Sequence, residues 1–225
     1  MTTKEPEKPF QWPNAWNQYF AVLAANILQF AHGCITGWPS PALPVLTSEN
    51  SPLVKPLTIE ESSWIGSINC IGGLCGSLLF GYVIPILGSK RALLVLTIPS
   101  IIFWAMIYFS INFNHILIAR FIAGCASGAM QSATMLYVSE IANDDIRGRL
   151  GSFWLFMRTV GVLFIFIAGA MVEYEYLPCI CVLFPILFSL VFVMMPITPQ
   201  YFLQKEQIQK AENALKYYKG YRESS

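Results

Sequence analysis

YVSEIANDDIRGRLG, residues 137–151, sets three acidic and two basic residues between apolar runs that are each long enough to cross a bilayer. Charges this dense are too costly to hold in hydrocarbon, so the stretch marks a loop where two membrane helices end. At such a mouth it supplies an orientation signal and a candidate gate. The run before it covers residues 116–138 and the run after it residues 150–172. A hydrocarbon core of about 30 Å takes about 20 apolar residues in a helix. Four further runs meet that length, at residues 16–38, 63–86, 92–111 and 177–195. The pattern is that of an all-α membrane protein with six transmembrane helices, because every backbone polar group in lipid must be satisfied within its own helix.

The composition agrees. Of 225 residues, 55% are hydrophobic and only 12% charged, with a mean hydropathy of +0.54, where soluble domains carry about 25% charged residues. A net charge of +1 argues against a nucleic-acid partner, which would need a basic face. All six cysteines fall inside apolar runs, where the thiol behaves as a small hydrophobe, and none has the spacing of a metal site. The opening residues, MTTKEPEKPFQWPN, are polar and proline-rich without a short apolar core, which reads as a cytoplasmic tail and not a cleaved signal peptide.

Lysine and arginine orient the bundle. With both termini cytoplasmic, eleven basic residues (Lys4, Lys8, Lys90, Arg91, Arg147, Arg149, Lys205, Lys210, Lys216, Lys219 and Arg222) fall inside, against Lys55 alone outside. The chain then divides into a cytoplasmic tail (1–15), a six-helix transmembrane bundle (16–198) and a cytoplasmic amphipathic helix with its tail (199–225). A long outer loop over residues 45–62 ends in Thr58-Ile59-Glu60-Glu61, a capping box that starts the second helix just ahead of Trp64. Beyond Pro199, Ile208, Ala211, Leu215 and Tyr218 recur at helical spacing, with Gly220 placed to end the helix. This helix either packs beneath the bundle or lies on the lipid surface.

Small residues four apart allow close helix approach in lipid. Gly72, Gly76 and neighbouring Gly73, Ser77 and Gly81 form one such stripe, and Gly124, Gly128 and Ser132 another. Read with the charged ends, these runs resemble the N-terminal half of a sugar porter of the major facilitator superfamily, most of all the insect trehalose and hexose facilitators. Gly37-Trp38-Pro39-Ser40-Pro41-Ala42-Leu43-Pro44 is similar to the end of that family's first helix. Ser62 to Ser67 is similar to the start of its second, and Ala119-Arg120-Phe121 through Gly128 to its fourth. Tyr137-Val138-Ser139-Glu140 with Arg147-Gly148 matches its loop between helices four and five. Pro196 to Tyr201 sits where the family has Pro-Glu-Ser-Pro, and the stretch from Lys210 to Gly220 resembles its first intracellular helix.

The resemblance implies that Glu140 and Arg147 latch the cytoplasmic mouth, and a carboxylate and a guanidinium at adjacent helix ends can pair bidentately. Solvated, such a pair is worth under about 1 kcal/mol. Lys90 and Arg91 fall in the family's basic loop after helix two, while Ser89 replaces an expected basic residue, and Pro85 and Ile197 stand where polar or acidic ones are usual. The latch is therefore expected to be weak. Arg120, inside the fourth span, is expected to serve packing or a salt bridge within the bundle. On helix five the family's sugar-binding Gln position holds Leu155. Arg158 lies one turn on, with Val162 on the same face. A charge at that depth costs at least about 2.5 kcal/mol, so Arg158 either faces an aqueous cavity and binds substrate or snorkels to the cytoplasmic mouth. His32, mid-span in helix one, reads as a hydrogen-bonded core residue or as part of the substrate pathway. No carboxylate occurs from Phe30 to Gly37, which favours facilitated diffusion over proton coupling.

The expected function is facilitative transport of a hexose or trehalose by alternating access across the plasma membrane. Six helices make half of a twelve-helix porter. The competing reading is a half-transporter, inactive alone, that pairs with a second six-helix half or regulates a full-length relative. No spacing sets a nucleophile beside a base and no glycine loop follows a strand, so neither an enzyme nor a cofactor is expected.

Overall fold

A computed structural model describes residues 16–219. Residues 1–15 and the expected stop at Gly220 lie outside the described residues. Within them, six helical spans are long and apolar enough to cross a membrane.

The first span joins α1 (Trp16–Gly37) to α2 (Pro39–Thr47) and runs for 32 residues, so part of the expected outer loop is helical. Pro39 is accommodated because it opens α2, where its missing N–H costs least. Helix α3 (Ile59–Leu87) begins a turn earlier than the apolar run, at the capping box itself. Glu61 Oε2 accepts from the Thr58 amide at 2.8 Å, and Thr58 Oγ1 accepts from the Glu61 amide at 3.2 Å. Gly88, at a φ of 82°, turns the chain directly into α4 (Ser89–Tyr108), and a side chain there would strike the Tyr201 ring. Next come α5 (Phe113–Ile141) and α6 (Asp144–Met171). The sixth span is broken: a 3-10 turn (Tyr174–Tyr176) leads into α7 (Leu177–Cys181), then α8 (Leu183–Val193). Pro185, in the first turn of α8, supplies no amide to the Cys181 carbonyl, which accounts for the interruption at Val182.

The closest helix pairs are α3 with α5 and α1 with α6. Both crossings use glycine. A methyl on Gly72 or Gly76 would fall on the Phe121 or Cys125 carbonyl, and one on Gly124 or Gly128 on the Asn69 or Gly73 carbonyl, so the stripes read from the sequence do pack against each other. The second crossing, Gly33 and Gly37 of α1 against Gly161 and Ile165 of α6, is built the same way. Span one thus packs on span five as span four packs on span two. Likewise span one meets span six, through α8, as span four meets span three. That is the pattern of two nested three-helix repeats.

Two short helices complete the described residues, α9 (Pro199–Gln204) and α10 (Ile208–Lys219). Ala211, Ala214 and Tyr218 of α10 are buried against the bundle, so it docks on protein and does not lie flat on lipid. Ile208, expected on the apolar face, is 66% exposed.

Candidate functional site

Spans are unequally covered. In the first, 72% of the apolar window is buried, but in the α3 and α6 spans only 17%. The substrate-pathway candidates of α6 belong to one of these thinly covered spans. Leu155 is 54% exposed, and Arg158 and Val162 are half-buried. The backbone of Arg158 is pressed against α1, its carbonyl filling the space a side chain at Gly33 would need. Helix α1 therefore fixes the height at which the guanidinium leaves α6.

His32 lies beside Gly33, the residue on which the Arg158 carbonyl packs. It is buried between α1 and α5, with Nε2 3.0 Å from Ser127 Oγ and 3.4 Å from Thr36 Oγ1. Nδ1 meets no partner among the described residues. Gln29, one turn below, donates Nε2 to Thr134 Oγ1 at 2.6 Å and to the Met130 carbonyl at 3.1 Å. Asn26, another turn down, donates to the Val22 carbonyl at 2.7 Å. The sequence reading singled out His32 and passed over this row, although Asn26, Gln29 and His32 at intervals of three were its signal.

Arg120 is buried and serves the bundle's own backbone. Nη1 donates to the Ile35 carbonyl at 2.8 Å and Nε to the Ile65 carbonyl at 3.2 Å, tying α5 to α1 and α3. Pro39 has no N–H to offer Ile35 four residues back, so Arg120 supplies the hydrogen bond the helix lacks.

The opposite ends of the charged candidates gather at what we term the basic end, formed by residues 16–19, 88–91, 140–151 and 194–219. Here Glu140, expected to pair with Arg147, accepts from Ser89 Oγ, the residue that stands where a basic one was expected. Arg147 is exposed on the first turn of α6. Lys90 is buried with its ammonium donating to the carbonyls of Val193 and Met195, so it caps the C-terminus of α8. Arg91 lies over the Tyr201 ring, 5.2 Å from its centroid, and donates Nη1 to the Tyr201 hydroxyl at 3.2 Å. Glu140, Lys90 and Arg91, three of the four residues read as a gate network, thus each make a local contact at this end.

A further linkage was missed. Gln18, fully buried, donates to the Tyr218 carbonyl at 3.0 Å and accepts from the Asn143 amide at 3.2 Å, joining α10 to the starts of α1 and α6. Asn17 donates to the Tyr217 carbonyl at 2.8 Å, and the Tyr218 hydroxyl to the Pro196 carbonyl at 2.7 Å. Burial pushes the Tyr218 phenol up to about 12.

A close-packed six-helix membrane bundle with two open spans and a helix docked at its basic end defines a half of the major facilitator fold. Its structure is similar to the proton:xylose symporter XylE bound to 6-bromo-6-deoxy-D-glucose, with a TM-score of 0.80 at 20% identity over 91% of this chain and 50% of that one. A partially occluded, inward-open XylE from E. coli superposes at 0.78, at 20% identity, covering 89% of this chain and 53% of its own. In sequence, residues 55–224 match the sugar (and other) transporter family, and the chain belongs to it. The facilitated trehalose transporter Tret1 of Drosophila pseudoobscura pseudoobscura and the trehalose transporter 1 of Drosophila melanogaster are each 28% identical over 205 residues. Those matches cover 91% of this chain and 24% of either relative, so the chain spans about a quarter of the length of these relatives.

Proposed function

We propose that the chain supplies the N-terminal half of a facilitative sugar porter that carries a hexose or trehalose by alternating access, with its basic end cytoplasmic and the bundle in the plasma membrane. The observation that carries this reading is the low coverage of α3 and α6, the two least covered spans, with Leu155, Arg158 and Val162 at the open side of α6. A sugar held near the midplane between two halves would meet that side. The excess of basic residues at one end supports the orientation. Names of the insect relatives support trehalose as the first substrate to try, and the lack of a carboxylate from Phe30 to Gly37 favours diffusion without a coupled proton.

The same open side favours a second reading, a half-transporter that works only against another six-helix unit, either a second half or a full-length relative. One experiment separates the two. Purified chain is reconstituted alone into proteoliposomes and uptake of labelled trehalose and glucose is followed. Saturable uptake that Arg158→Ala lowers at least about tenfold, with insertion intact, supports transport through the α6 face. Inserted protein without uptake, which gains or modulates uptake when a full-length relative is co-reconstituted, supports the half-transporter.

A further inference from the structure

At the basic end a cavity of about 470 Å³ opens between the start of α4, the turn after α8 and one face of α10. Its floor is apolar, built by Met195, Pro196, Ile197 and Phe202. Two lysines line it, Lys90 from α4 and Lys210 from α10, and among the described residues no carboxylate does. The Lys90 charge is buried, and the carbonyls that hold it are dipoles that offer no countercharge. Glu140, an acidic side chain at this end, is turned to Ser89. Lys210 is exposed on the other wall. A buried ammonium held by carbonyls with no counterion among the described residues, a second lysine across an apolar floor, and a position at the ends of the spans specify an anion that carries its own hydrocarbon.

We propose that this cavity is a binding site for an anionic phospholipid of the adjoining leaflet. Its phosphate lies between Lys90 and Lys210, and its glycerol and upper acyl carbons lie on the Met195–Phe202 floor. The same charge pair would also attract a soluble phosphate. The apolar floor favours the lipid, because a free anion gains nothing from it. A bound lipid would join α10 to α4 and the end of α8, elements otherwise tied through short polar contacts. This site is independent of which sugar is carried and of whether the chain transports alone.

The test uses the full chain purified in a neutral detergent, with its thermal unfolding followed while short-chain lipids are titrated. Dioctanoyl phosphatidylserine and dioctanoyl phosphatidylinositol should raise the melting temperature saturably, whereas dioctanoyl phosphatidylcholine should not. Lys210→Glu, at an exposed position that leaves the α8 cap intact, should weaken the apparent affinity at least about tenfold. Arg149→Glu, exposed at the same end but outside the cavity, should leave it unchanged. Lys90→Met should abolish the response if the protein still folds, and Lys210→Glu decides the matter if it does not. An equal shift from inorganic phosphate overturns the assignment to a lipid. Equal shifts from the choline lipid, or an undiminished shift in Lys210→Glu, overturn the site.

Discussion

Arg120 and Pro39 form a pair that neither residue announces alone. Proline removes an amide from the first span, and the orphaned Ile35 carbonyl would cost about 1–3 kcal/mol if left dry. Arg120→Met is therefore expected to destabilise the detergent-purified chain by about 2 kcal/mol, seen as a lower melting temperature. Adding Pro39→Ala restores an N–H within reach of Ile35 and should recover part of that loss. Strictly additive effects in the double variant would refute the coupling. This contact shows where sequence reading stops. The missing N–H of Pro39 and the intramembrane charge of Arg120 were both legible. Their meeting was not, because it depends on which helices cross at that height. Glu140 makes the same point, since nothing near it in the chain announces Ser89, whose hydroxyl the juxtaposition of the α4 start and the α5 end brings to it.

At the scale of elements, α10 shows how a weakly apolar helix is held. Three buried side chains would anchor it poorly, but Gln18 and Asn17 take its last carbonyls and Tyr218 reaches the Pro196 carbonyl. Gln18→Ala should release it, and hydrogen exchange across residues 208–219 should accelerate while the membrane spans keep their protection. Acceleration spread evenly over the bundle would instead mean that Gln18 supports the whole fold. The Tyr218 phenol adds a pH dependence. With its ionisation raised by burial from the ordinary 10 to about 12, the docked state is favoured in full below about pH 10 and loses that advantage as the pH rises through about 12. Tyrosinate absorbance should show one late-ionising phenol fewer in Tyr218→Phe than in the parent. The amphipathic spacing of α10 was legible in the sequence. Its anchor was not, since Gln18 lies some 200 positions away.

For the molecule as a whole, glycine crossings set the architecture. Gly76 has no room for a side chain, whereas nothing lies within 4 Å of the corresponding space at Gly81 in the same helix. Gly76→Leu should prevent assembly of a compact bundle, read as early aggregation in size-exclusion chromatography. Gly81→Leu should elute like the parent and melt no earlier, since leucine is the better helix former, and equal damage from both would mean that the added bulk acts elsewhere than at this crossing. The count of spans and the α3–α5 stripes followed from the length of the apolar runs and the four-residue spacing. The α1–α6 crossing carried the same spacing in Gly33 and Gly37, but its partner helix offers only one glycine there, so the match was hidden.

These crossings join helices that are not neighbours in the chain, and that bears on how the protein is made. Translation delivers α1 and α3 well before α6 and α5, so each early helix enters the membrane before its close-fitting mate exists. The first three spans must wait in lipid, only loosely associated, with their glycine faces uncovered. Compaction belongs to the moment when the fourth and fifth spans arrive, and an error before then would strand a chain that is inserted but not assembled.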